Sequence, residues 1–203
     1  MSPARHGEGD RGITAWERRT SLPMGELSCV TPTASTHREV RISAGPARVW
    51  EVLTDVEAMA GWSPELMGVE WQDGATSPAA GARYIGRNEH HLNGDWRTIA
   101  QSTEFEPGEA LTWCVLDMDG GYGKPAEDPE DRMATWSFTL TPFADGVVLR
   151  QSVTVGPGRS GLNACIERTP EAEAAIIAYR FDELGKGMDA TLKGIKDAAE
   201  RQG

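Results

Sequence analysis

Residues 169–201 read TPEAEAAIIAYRFDELGKGMDATLKGIKDAAER, and the architecture follows from them. Thr169-Pro170-Glu171 offers an N-cap residue, a proline suited to the first helical position and an acid in the first turn, so a helix is expected from here to about Arg201. Ile177, Phe181, Leu184, Met188, Leu192 and Ile195 recur three or four residues apart and form one apolar stripe. At about 1.5 Å per residue the helix would be roughly 45 Å long, enough to cross the face of a sheet. Gly185 and Gly187 interrupt its middle. Each costs about 1 kcal/mol relative to alanine, so either close packing or room for a bound molecule is expected there.

Upstream, five stretches have strand character: residues 82–88, 96–106, 110–116, 134–142 and 147–155. Asn93-Gly94-Asp95, Pro107-Gly108 and Asp145-Gly146 carry the turn chemistry of antiparallel neighbours, which predicts a meander. Ala134, Trp136, Phe138 and Leu140 alternate with Thr135, Ser137, Thr139 and Thr141, one face for an apolar interior and one for water. Earlier still, Glu39-Val40-Arg41-Ile42 suits a half-buried strand that Gly45-Pro46 ends. Val49, Trp50 and Leu53, then Val56, Met59 and Trp62, give two short helices with a kink near Thr54-Asp55. Ser63-Pro64 stops them, and residues 67–71 form a further strand before a turn of small residues at 73–81. Residues 1–36 follow neither period and read as a flexible N-terminal extension to a domain over 37–203, with Met24 a candidate alternative start.

The 203 residues are 39% hydrophobic and 25% charged, the composition of a soluble globular chain. No apolar run approaches the ~18 residues of a membrane span and no secretory h-region is visible, so the expected compartment is the cytoplasm. The net charge is −11, and because acids and bases cancel over residues 1–37, all of it belongs to the domain. A field of that sign repels nucleic-acid phosphates and anionic lipid headgroups. Cys29, Cys114 and Cys165 are too scattered for a disulfide scaffold or metal cluster and are expected as reduced thiols.

The order strand, two short helices, long meander and terminal helix is an α+β pattern in which a curved antiparallel sheet can wrap around the last helix. That order resembles the START-like (SRPBCC) superfamily with the helix-grip fold, and within it the bacterial polyketide cyclase/dehydrase and lipid-transport group. The resemblance is carried by Trp50 with Asp55, Gly61-Trp62-Ser63-Pro64-Glu65, Gly81-Ala82-Arg83-Tyr84-Ile85-Gly86-Arg87-Asn88, Trp96, Glu106-Pro107-Gly108, Ala134-Thr135-Trp136 and residues 188–200. It implies a deep apolar cavity between sheet and helix, used in some relatives for catalysis and in others for holding a hydrophobic ligand.

In a strand, alternate residues share a face, so outward Arg83 and Arg87 put Tyr84 and Asn88 inside; likewise Trp96 and Thr98 oppose Arg97, and Leu149 and Gln151 oppose Arg150. Gln151 is polar among Val147, Leu149, Val153 and Val155, and either bonds a neighbour or water or contacts ligand oxygen. Trp62, Trp96, Trp113 and Trp136 are core or ligand contacts. His90 and His91, with Asn93 and Asp95, form a polar cluster read as loop surface or cavity mouth. Adjacent histidines point to opposite sides of an extended chain, so no metal is expected there, and no cofactor elsewhere. The acids at 117–131 fail the calcium-loop spacing, since Tyr122 stands where glycine is required; this loop is either solvated or, through Gly120-Gly121-Tyr122-Gly123, a lid. Residues 156–161 are glycine-rich without the lysine of a phosphate loop, and no Gly-x-Ser-x-Gly occurs.

The expected function is binding of a polyketide-like or lipid-like molecule in an interior cavity, with cyclisation or dehydration as the candidate reaction. A carrier, or a protein that sequesters a toxic metabolite and confers resistance, is the alternative, and a regulatory protein acting through partners is a third. Tyr84, His91 and Gln151 are the candidate catalytic groups; Trp62, Tyr84, Asn88, Trp96, Trp113, Trp136, Gln151, Leu184 and Met188 are the candidate ligand contacts.

Overall fold

The computed structural model describes residues 34–91 and 94–201. In chain order the elements are β1 (Ala34–Ile42), α1 (Pro46–Leu53), α2 (Val56–Met59), β2 (Leu66–Trp71), β3 (Arg83–His90), β4 (Gly94–Glu106), β5 (Ala110–Asp117), β6 (Ala134–Phe143), β7 (Gly146–Val155), α3 (Gly161–Arg168) and α4 (Glu173–Glu200). The strands form one seven-stranded sheet in the order β1-β7-β6-β5-β4-β3-β2, every neighbouring pair antiparallel. This is the α+β helix-grip fold: β2 to β7 are the expected meander, and β1 closes it by pairing with β7. Register shifts at Leu66/Gly68 and Ser102/Glu104 mark irregularities of the bulge type, which bend a strand and help the sheet curve.

The long helix is fastened to β1 at its C-terminal end. Lys196 Nζ donates to the Arg41 carbonyl at 2.8 Å and Glu200 Oε1 accepts from the Ser43 N–H at 2.7 Å. At this end of the helix lies the main core, where Ile42, Leu53, Phe138, Leu149, Leu192 and Ile195 are buried together. The kink between α1 and α2 falls at Asp55, whose carboxylate caps α2 by accepting from the Ala58 N–H at 2.9 Å.

Three differences from the sequence reading have clear causes. β1 begins at Ala34, inside the stretch assigned to the extension, because its inward positions include Thr36 and Arg38 and so lack apolar alternation. The remaining extension, with Trp16, Met24 and Cys29, lies outside the described residues, as does Asn93. The glycine-rich residues 156–161 give no sign of a helix, yet Ser160 and Asn163 form a reciprocal cap that starts α3 there. The expected helix start at Pro170 is a single 3-10 turn, Pro170–Ala172, before α4 proper.

The glycines of α4 separate by what faces them. A Cβ at Gly185 would meet the Arg38 guanidinium at 2.2 Å, whereas one at Gly187 would meet Pro64 at an ordinary 3.4 Å. Gly194 is the tightest against a rigid group, with Trp62 Cγ at 2.2 Å from a Cβ there. Gly194→Ala is therefore expected to destabilise the fold by about 1–3 kcal/mol through overpacking, and Gly187→Ala to leave stability unchanged or raise it by up to about 1 kcal/mol. Urea denaturation of the two variants side by side checks the contrast.

Candidate functional site

Beyond the core, α4 stands off the sheet and leaves a cavity of about 390 Å³, within the range of small-molecule sites. Its floor shows the period of two that strands impose. β3 contributes Tyr84, Gly86, Asn88 and His90; β4 contributes Trp96, Thr98 and Ala100; Trp113 and Trp136 come from β5 and β6. β7 adds Gln151, Val153 and Val155, and α4 supplies Leu184 and Met188 from above. Trp113 and Trp136 are direct register partners with rings nearly parallel, 10° apart in plane and 6.4 Å between centroids.

The polar groups on the floor of this cavity differ in how they are satisfied. Asn88 is held to the wall, its Nδ2 donating to the Gly86 carbonyl at 3.1 Å and to Thr98 Oγ1 at 3.2 Å. Gln151 is only 5% exposed, and its Oε1 has no partner among the described residues. Such an orphan costs about 1–3 kcal/mol unless something supplies a donor. The Tyr84 hydroxyl likewise makes no hydrogen bond among the described residues. Its ring packs edge-on to Trp71, centroids 5.3 Å apart, and burial pushes the phenol above its ordinary value of 10.0. The hydroxyl is therefore a neutral donor across the physiological range.

The mouth is built differently, from paired charges. Arg180 on α4 grips Glu65, just before β2, with both carboxylate oxygens engaged, one at 2.9 Å, and lies 3.7 Å from Glu183. Burial opposes the Arg180 charge, but Glu65 and Glu183 outweigh it and raise its pKa. Glu183 also meets His90 Nε2 at 3.2 Å. On another side, the Asp117 carboxylate accepts from the N–H groups of Gly121 and Tyr122 at 3.2 and 2.8 Å. That acid organises its own loop and sets Tyr122 in the cavity wall, close against Gly161 at the start of α3. Cys165 also lines the wall, its Sγ 3.3 Å from Arg168 Nη2, while Cys114 is fully buried and its thiol is pushed up by that burial.

With this geometry in place, residues 33–200 match the family described as polyketide cyclase / dehydrase and lipid transport. The chain belongs to that family. Solved structures that it resembles include the Polyketide_cyc-like protein Cgl2372 of Corynebacterium glutamicum, 21% identical at a TM-score of 0.53, over 82% of this chain and 91% of that one. The aromatase/cyclase Zhui of Streptomyces sp. R1128 is 15% identical at 0.59, over 84% and 95%. The di-domain ARO/CYC StfQ of the steffimycin biosynthetic pathway is 14% identical at 0.61, over 83% of this chain and 51% of that one. At these identities the likeness is one of fold. A curated protein of Xylella fastidiosa (strain M12), 3-deoxy-manno-octulosonate cytidylyltransferase, is 28% identical over 156 residues, 73% of this chain and 60% of that protein. Among the described residues no helix is long and apolar enough to cross a membrane.

In this polyketide cyclase family member the expected contacts divide. Tyr84, Asn88, Trp96, Trp113, Trp136, Gln151, Leu184 and Met188 all line the cavity. Trp62 does not: it packs on Gly194 beside the main core, away from the wall. His91 is also outside the wall, and its neighbour His90 takes that place, because the inward positions of β3 run 84, 86, 88, 90. The same alternation that selected Tyr84 and Asn88 identifies His90 if it is carried one step further. Glu65, Arg180 and Glu183 escaped notice, since nothing local in the sequence joins a loop, a strand end and a helix face.

The protected state of Tyr84 is directly measurable. Absorbance at 295 nm during alkaline titration follows phenolate formation, and Tyr84→Phe is expected to match the wild type up to about pH 11, because Tyr84 contributes no phenolate in that range. A loss of one tyrosine's amplitude near pH 10 in the variant would show an ordinary, solvated phenol.

Proposed function

We propose that this protein binds a hydrophobic small molecule, polyketide-like or lipid-like, in the cavity between α4 and the sheet. The observation that carries this reading is the pairing of an apolar wall with two unpartnered polar groups on it, the Tyr84 hydroxyl and the Gln151 amide. A ligand that presents a carbonyl to Tyr84 and a hydroxyl or N–H to Gln151 Oε1 satisfies both, while Trp96, Trp113 and Trp136 cover its apolar surface. Membership of the family supports the same reading. Transfer of a nucleotide, the activity named for the curated relative, fits less well, for among the described residues no lysine lines the wall, and of its two arginines Arg180 is committed to Glu65 while Arg168 is exposed to solvent.

A catalytic role in cyclisation or dehydration is favoured by one feature. Tyr84 stays protonated, so it can donate a hydrogen bond to a ligand carbonyl and polarise it, with the walls holding the chain folded. A carrier needs the same binding without turnover.

Native mass spectrometry of freshly purified protein, followed by thermal-shift measurement across polyketides and fatty acids, tests the reading. A co-purified ligand, or a shift of several degrees that Leu184→Trp abolishes, is the expected result. Retained folding of that variant is checked by its own melting curve. Tyr84→Phe separates the two roles: an enzyme loses turnover and keeps its thermal shift, whereas a carrier has no turnover to lose. No shift with any ligand would overturn the binding reading.

A further inference from the structure

β3 ends at His90, and the chain leaves the strand at His91. That exit releases His91 from the alternation that sends strand neighbours to opposite faces. Its ring lies beside that of His90, with centroids 4.4 Å apart and planes 38° apart. From α4, Glu183 reaches the pair, its Oε1 and Oε2 at 3.2 and 3.3 Å from His90 Nε2. One ligand atom each from His90, His91 and Glu183 lies within 4.8 Å of the other two.

Three atoms so placed share a point no more than about 2.8 Å from each, so movements under about 1 Å bring all three to the 2.0–2.2 Å at which zinc takes imidazole nitrogen and carboxylate oxygen. We propose that His90, His91 and Glu183 form a binding site for a borderline divalent cation, of which zinc is the best match, with one coordination position open at the mouth of the cavity. The donor set of two imidazoles and one carboxylate is that of open three-ligand zinc sites, not of closed structural ones.

The surroundings agree with the charge required. His90 and Glu183 side chains are 8% and 18% exposed, so a cation there is only partly hydrated and held firmly. Tyr179, one turn before Glu183, places its hydroxyl 3.3 Å from His91 Nε2, where it orients the ring or supplies a fourth oxygen. Arg180 lies 3.7 Å from Glu183, but both of its terminal nitrogens are hydrogen-bonded to Glu65, so Glu183 keeps lone pairs for a cation. Because His90 and Glu183 also line the cavity, a carbonyl or carboxylate oxygen of a bound molecule can take the open position and be polarised there. Cation binding itself does not depend on the ligand-binding reading.

Cobalt(II) titration of metal-free, full-length protein, read by visible d–d absorption, tests the site, with zinc calorimetry alongside. One cation per chain in four- or five-coordinate geometry is expected, weakened about tenfold or more by His91→Ala and by Glu183→Gln. His91 is exposed, so its replacement is safe for the fold, and far-ultraviolet circular dichroism verifies both variants. His6→Ala and His37→Ala, the other two of the four histidines, leave binding unchanged. Absence of the cobalt spectrum, or binding that His91→Ala and Glu183→Gln leave intact, would overturn the proposal.

Discussion

A single helix cannot cover a seven-stranded sheet. At about 4.8 Å between strands the sheet is roughly 29 Å wide, while a helix with its side chains spans about 10–12 Å. Here α4 is tied to the β1 edge by Lys196 and Glu200, and the fully packed core lies beneath that end with α1. The apolar face of the strands toward β3 is left without a helix pressed on it. Trp96, Trp113 and Trp136 line the space that results and do not fill it. The cavity is therefore a consequence of width and anchoring.

Floor and mouth of that cavity follow different physical rules. At the mouth, ion pairs of Arg180 with Glu65 and Glu183 and the contact of His90 with Glu183 join a loop, a helix and a strand end, partly shielded from water. On the floor, Gln151 Oε1 is buried with no partner among the described residues. Hydrogen-bonding capacity left unused inside a protein lowers its stability, so an orphan that lines the cavity, as Gln151 does, is more readily understood as a recognition element than as a structural one. Tyr84 and His90 lie six residues apart on one strand face, roughly 20 Å, so no single ligand atom meets both. The proposed ligand is accordingly extended, with separate contacts at either end.

Most of the sheet was legible because its strands alternate and its turns carry glycine, and Phe138 and Leu140 against Thr139 and Thr141 show why: each side chain reports its own face. The cavity floor followed from the same alternation. What stayed hidden depended on contacts distant in sequence or on short elements. α3 is an eight-residue helix begun by a side-chain cap, too short for an apolar stripe to declare it. The sequence leaves Trp62 open as core or ligand contact, because nothing local reveals that Gly194, 132 positions later, lies against it. His91 was set apart from His90 by a strand rule that holds only while the strand continues.

The central claim is that the space under α4 receives a ligand, and the indole N–H resonances of the tryptophans report on it most directly. Titration of the isotopically labelled protein with an aromatic polyketide or a fatty acid should shift the signals of Trp96, Trp113 and Trp136 together, while those of Trp50 and Trp62 in the core stay in place. Shifts confined to tryptophans outside the wall, or none at saturating ligand, would contradict the account.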